Sequence, residues 1–146
     1  MKGLAAGAIA ALAVLAPGSA QARDDRLRMP LADALATADA KAKIDPGIKL
    51  YFGSQPHPKP AQRFGTATAN RKTNFFNKSD KDGCEWAFLS SVLALQDRAR
   101  KLGANAVVEI ESVYRGENFE SATEYECGAG TFVGGVALKG EFVKLP

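Results

Sequence analysis

Few residues of this chain are of a kind that does chemistry, and their spacing argues mostly against it. His57 is the only histidine and stands in "QPHPKP". A general base needs a partner that orients it, and this proline-flanked loop places no carboxylate beside the ring. It reads as a surface loop residue. Glu109, Glu111, Glu117, Glu120, Glu124 and Glu126 are close enough in sequence to suggest paired carboxylates or a cation site. Their alternation with apolar residues instead describes the solvated face of a one-sided antiparallel sheet. The oxygen pattern of a calcium loop is missing. Neither a Ser-His-acid nor a Cys-His grouping is visible, so the expectation is a non-catalytic protein with no cofactor and no metal.

Aromatic residues supply a better candidate. "NFFNKSDKDG", residues 74–83, sets Phe75 and Phe76 side by side in an otherwise polar loop. Exposed together they form a candidate docking patch. The same pair also suits one ring capping the core, because paired exposed aromatics are uncommon on monomers. Trp86 and Phe88, a few residues on, read as core positions rather than a ligand cage.

Before any fold is considered, residues 1–22 read as a signal peptide. Met1-Lys2 gives a positive start, Gly3 to Ala16 is apolar, and Ala20-Gln21-Ala22 offers the small-x-small pattern cut before Arg23. The apolar run is too short for a transmembrane helix, and no cysteine follows it to take a lipid. A soluble periplasmic or secreted product is expected. Arg23 to Pro146 is the length of one compact domain. With 19 basic against 16 acidic residues in the whole chain, no nucleic-acid-binding stripe emerges. "NRK" at 70–72 and "RARK" at 98–101 are the densest basic spots, and the second suits the C-terminus of a helix.

Residues 23–47 divide into a polar lead-in, "RDDRLRMP", and a short alanine-rich helix from Leu31 to Ile44, stopped by Asp45-Pro46-Gly47. Residues 48–146 then form a single α+β domain. "IKLYFG" alternates as a strand, "SQPHPKP" is an extended loop, and in "AQRFGTATANRKT" Thr66 and Thr68 share a strand face with Phe64. From Asp82 to Gly103 the spacing predicts one long amphipathic helix. Asp82 caps it with Glu85 three residues on, Cys84, Phe88, Val92, Leu95, Ala99 and Leu102 face the core, and Gln96 lies on the polar side. Gly103 is the C-cap, where a left-handed residue is needed. "NAVVEIESVY" follows as a strand with Ala106, Val108 and Ile110 on one face. A "RGEN" turn, a returning "FESATEYEC", a "GAG" turn and a long last strand complete a mostly antiparallel sheet. On that last strand Phe132, Val136, Leu138 and Phe142 share a face, and Gly134, Gly135 and Gly140 mark bulges or close backbone approach.

"ARKLGANAVVEIESVY", a polar hairpin and "GGVALKGEFVKL" resemble the helix-turn-strand and final strand of the YbjQ-like family and of the Rcs stress sensor RcsF, over roughly residues 80–144. The mature chain also resembles small exported proteobacterial proteins labelled as an excinuclease ATPase subunit, although it has no phosphate loop and no CxxC zinc pairs. The resemblance, together with the absence of a catalytic grouping, points to an envelope protein that binds another protein, with the "NFFNK" loop or a sheet edge as the surface the residues offer; the resemblance alternatively implies a small-ligand or metal-binding oligomeric module. Its cysteine positions imply a bridge between Cys84 and Cys127. Two cysteines in an exported chain favour the same outcome, because the periplasm is oxidising. A redox pair would require an exposed, activated thiol, which nothing indicates.

Overall fold

The computed structural model describes residues 3, 5–14 and 23–146. The expected cleavage motif at Ala20-Gln21-Ala22 lies outside the described residues. The chain folds as an α+β structure in which one long helix packs on a curled, mostly antiparallel sheet. In chain order the elements are β1 (Asp24–Pro30), α1 (Leu31–Leu35), α2 (Ala38–Lys43), β2 (Lys49–Phe52), β3 (Gln62–Asn74), α3 (Asp80–Leu102), β4 (Ala106–Ser112), β5 (Glu124–Gly130) and β6 (Val133–Lys144). Among the described residues no helix is long and apolar enough to cross a membrane.

The segment read as a polar lead-in is a strand. β1 pairs antiparallel with β5 along its whole length, Leu27 opposite Cys127. Its side chains are mostly solvated, so the strand is held by backbone pairing that hydrophobic periodicity does not register. Leu31 and Ala34 continue from it into the main core, so residues 23–47 belong to the same packed body as the rest. The expected helix over 31–44 is two short ones. Thr37 takes an extended conformation, and its hydroxyl accepts the Ala40 N–H at 3.1 Å, restarting the helix as α2.

α3 begins earlier than the acid cap suggested. Ser79 is the N-cap, its hydroxyl accepting the Asp82 N–H at 3.1 Å. Gly103 ends the helix at φ +77°, its N–H reaching the Ala99 and Arg100 carbonyls. The buried stripe runs through Cys84, Ala87, Phe88, Ser91, Val92, Leu95 and Ala99. Trp86 is not part of it and lies exposed. Gln96, expected on the polar side, is fully buried. Its amide accepts the Asp45 N–H and donates to the carbonyls of Asp45 and Ile48, each at 2.9 Å, so the turn into β2 is pinned to the helix.

β6 is the centre of the sheet. The strand order is β1-β5-β6-β4-β2, with β3 also paired to β6; β2 and β4 run parallel and the other pairs antiparallel. The strand returning after β4 therefore does not pair with it. An excursion over 113–123, closed by a single bridge between Ser112 and Phe119, leaves room for β6 to enter between β4 and β5. "GAG" is the end of β5, and the turn is Thr131-Phe132.

Two bulges reverse faces that plain alternation assigned. Between Val108 and Glu111 the register with β6 shifts, and Glu109 takes φ +52°. Val107 and Ile110 thus face α3, while Ala106 and Val108 join Val143 and Leu145 in a small cluster of their own. In β3 the register shifts between Arg63 and Thr66, with Gly65 at φ +94°. Ala67 and Ala69, rather than Thr66 and Thr68, then share the core face with Phe64. The main core joins Phe88 to Phe52 and Tyr125, with ring centroids 5.9 and 4.4 Å apart. Beside them Cys84 and Cys127 form a disulfide with a Cα–Cα distance of 5.8 Å, fixing the second turn of α3 to β5.

Candidate docking surface

Between β3 and α3 the chain makes a tight turn that sends two adjacent phenylalanines to opposite sides. Phe75 donates its N–H to the Phe132 carbonyl at 2.8 Å and accepts the Lys78 N–H at 3.1 Å. The Asn74 side chain accepts the Phe76 N–H at 2.8 Å, and Asn77 completes the turn at φ +58°. Phe75 is 3 % exposed. Its ring fills the space that Cβ atoms at Gly83 and Gly134 would occupy, so both glycines are required by close approach. Phe75 is therefore a core residue, and only the second member of the expected pair belongs to a surface patch.

Phe76 is 54 % exposed, and it is joined by Phe132 at 63 % and Val133 at 56 %. Phe132, expected on the inner face of the last strand, lies in the turn before β6. Its ring stacks on Phe76 with centroids 5.7 Å apart and planes 20° from parallel. Two large rings are thus stacked in solvent, one on each of two turns that the Phe75 N–H to Phe132 carbonyl bond holds together. The sequence showed Phe76; Phe132 was hidden because a turn residue immediately before a strand continues that strand's parity.

Val133 also opens onto a cleft of about 550 Å³. Its floor is Gly128, Gly130, Gly134 and Gly135, and Arg23, Lys72, Tyr114 and Arg115 stand around it. A Cβ on Gly128 would overlap the Tyr114 ring, so the excursion after β4 lies directly on the glycine floor. Tyr114 donates its hydroxyl to Asp24 at 2.9 Å; burial, then this bond, raises its pKa above the ordinary phenol value. Arg115 pairs with Asp24, and Arg23 with Asp80 and Asp25. The Arg23–Asp80 bond raises the arginine and holds the Asp80 carboxyl below the usual carboxylate range. Asp24 lines the same cleft, and Lys72 is the one of its three cations without an ion-pair partner among the described residues.

The remaining candidates separate. His57 is partly covered by Tyr51, centroids 5.4 Å apart, and its Nδ1 lies 2.8 Å from the Pro58 carbonyl, with no carboxylate paired to it among the described residues. Glu109, Glu111 and Glu120 line a polar cleft of about 490 Å³ together with Glu141 and Lys139. Glu126 is not on a solvated face: it is buried under the excursion, 3.4 Å from the Arg26 guanidinium, and its N–H donates to the Ser112 hydroxyl at 2.9 Å. Among the described residues no three His, Cys, Asp or Glu side chains are placed to hold a metal ion.

No family model, curated protein or solved structure matches this chain.

Proposed function

We propose that this protein is an exported, non-catalytic envelope module of the RcsF/YbjQ-like kind, and that it binds another protein at the tip formed by Phe76, Phe132 and Val133. The stacked, solvated Phe76–Phe132 pair carries the reading. Large rings that remain in water cost stability unless a partner covers them, and rings fixed before binding lose little entropy when it arrives. The unpaired Lys72 ammonium at the adjoining cleft favours a partner whose apolar surface is bordered by an acidic residue. The buried disulfide supports a periplasmic or secreted location, because such a bond persists in oxidising compartments.

The test compares a Phe76→Ser, Phe132→Ser double variant with the parent. Both side chains are exposed, so the melting temperature is expected to stay within a few degrees, while association with the envelope partner is lost. Retained association by the folded double variant contradicts the assignment of the tip.

A further inference from the structure

β3 pairs on one side only. Over Gln62–Asn74, thirteen residues, its partner is β6, and the other side of its backbone has no strand beside it among the described residues. Such an edge is a template for another strand, and proteins ordinarily blunt it with charge, proline, a bulge or short length. The two remaining edges are blunted in that way. β1 carries Asp24, Asp25, Arg26 and Arg28 and ends in Pro30, and β2 has only four residues. In β3 the bulge at Gly65 comes early, and the stretch Thr66-Ala67-Thr68-Ala69-Asn70 after it has no charge and no proline. Beyond the β6 ladder, the backbone of that stretch receives one long bond among the described residues, 3.4 Å from the Arg71 guanidinium to the Asn70 carbonyl.

A groove of about 220 Å³ lies along the same stretch, between β3 and the second half of α3. Thr68, Ala69 and Arg71 line one wall, and Ala94 and Arg98 the other. Small side chains on both walls leave room for a chain beside the strand. The charges in the groove are not balanced. Asp97, its one acid, is engaged by Lys101 at 2.9 Å and by Arg100 at 3.7 Å, whereas Arg71 and Arg98 are exposed and have no ion-pair partner among the described residues. None of Phe76, Phe132 and Val133 lines this groove.

We propose that the β3 edge takes up an extended acidic segment of a partner protein as an added strand, its backbone pairing with Thr66-Ala67-Thr68-Ala69-Asn70 and its carboxylates meeting Arg71 and Arg98. Main-chain bonds give such an addition its affinity, and alternate side chains give it specificity. A strand turns every second side chain to the same face. Acids at that spacing therefore suit the two guanidiniums, which pair with carboxylates through well-directed, charge-assisted bonds. A second copy of this chain fits poorly: β3 carries Arg63, Arg71 and Lys72 and no acid, so pairing it with itself in either direction adds cations to cations.

The probe is a fluorescein-labelled nine-residue peptide in which glutamate alternates with valine, titrated into the full folded protein and read by anisotropy. Saturable binding is expected, together with slowed hydrogen exchange of amides in residues 66–70. The same peptide with every backbone amide N-methylated, or with lysine in place of glutamate, is expected not to bind. The double variant Arg71→Glu, Arg98→Glu alters two exposed, unpaired side chains, so it is expected to fold and to bind the glutamate peptide about ten-fold or more weakly, through like-charge repulsion. The proposal is overturned by a signal that fails to saturate, by equal binding of either control peptide, by binding without protection at β3, or by unchanged affinity in the folded double variant. It is equally overturned if the protein without peptide sediments as a dimer with its β3 amides protected, which gives the edge to a second copy.

Discussion

Phe75 and Gly134 occupy space that cannot hold both a phenylalanine ring and a Cβ atom. This contact joins the turn before α3 to the start of β6, and it fixes the backbone from which Phe76 and Phe132 project. Gly134→Ala is expected to cost about 1 to 3 kcal/mol by overpacking, and Phe75→Ala about 3 to 5 kcal/mol by leaving a cavity. Denaturant unfolding of the two variants beside Phe76→Ser checks the distinction. Phe76→Ser, at an exposed position, is expected to change stability by no more than about 0.5 kcal/mol. Comparable losses at 75 and 76 would remove the division of labour between the two rings.

The Cys84–Cys127 bridge spans a sequence separation of 43. Loop-closure entropy for such a span sets an upper figure of about 4 kcal/mol for its contribution to stability. The double substitution Cys84→Ala, Cys127→Ala is expected to lower the unfolding midpoint accordingly. Alkylation without prior reduction is expected to label neither cysteine, and labelling of both in the native protein would rule out the bridge.

The long helix and its glycine stop were legible from side-chain periodicity, because α3 buries one regular stripe. Gln96 was not, because its burial follows from bonds to a turn 51 residues earlier in the chain, which no local pattern encodes. β1 was missed for a related reason: a solvated strand has no apolar alternation, and its partner β5 lies almost at the other end of the chain. The faces of β3 and β4 were misassigned at Gly65 and Glu109, since one inserted residue shifts the period-two pattern by a full face. Of the candidate docking surface, Phe76 showed itself as an aromatic in a polar loop. Phe132 became visible only once the turn before β6 was located.

Gly103 adopts φ +77°, and a Cβ there meets no atom within 4 Å. Any cost of substitution is thus conformational rather than steric crowding by neighbours. Gly103→Val is expected to destabilise by at least about 1 to 2 kcal/mol, and Gly103→Asn by clearly less, because asparagine tolerates the left-handed region. Thermal unfolding of the pair separates these outcomes, and equal losses would contradict the cap assignment.

Arg23 holds the Asp80 carboxyl below its ordinary range, tying the start of β1 to the first turn of α3. A carboxyl whose folded pKa is depressed contributes stability that is present above its unfolded pKa, about 3.9, and is lost as pH falls through the folded value. Arg23→Gln is therefore expected to lower the melting temperature slightly at pH 7, and its difference from the parent is expected to shrink as pH falls below the unfolded carboxyl value and through the depressed folded one. Added salt should shrink the neutral-pH difference. A gap that widens on acidification would contradict the pairing.

The claim that Phe76 and Phe132 form a docking tip is tested most directly by a photo-crosslinking amino acid introduced, one position at a time, at Phe76, at Phe132 and, as a control on a distant exposed surface, at Lys59. The variants are irradiated in the native envelope. The account predicts one discrete adduct of the same mass from positions 76 and 132 and none from 59. Adducts at 59 matching those at the tip, or no adduct from either phenylalanine position in folded protein, would contradict it.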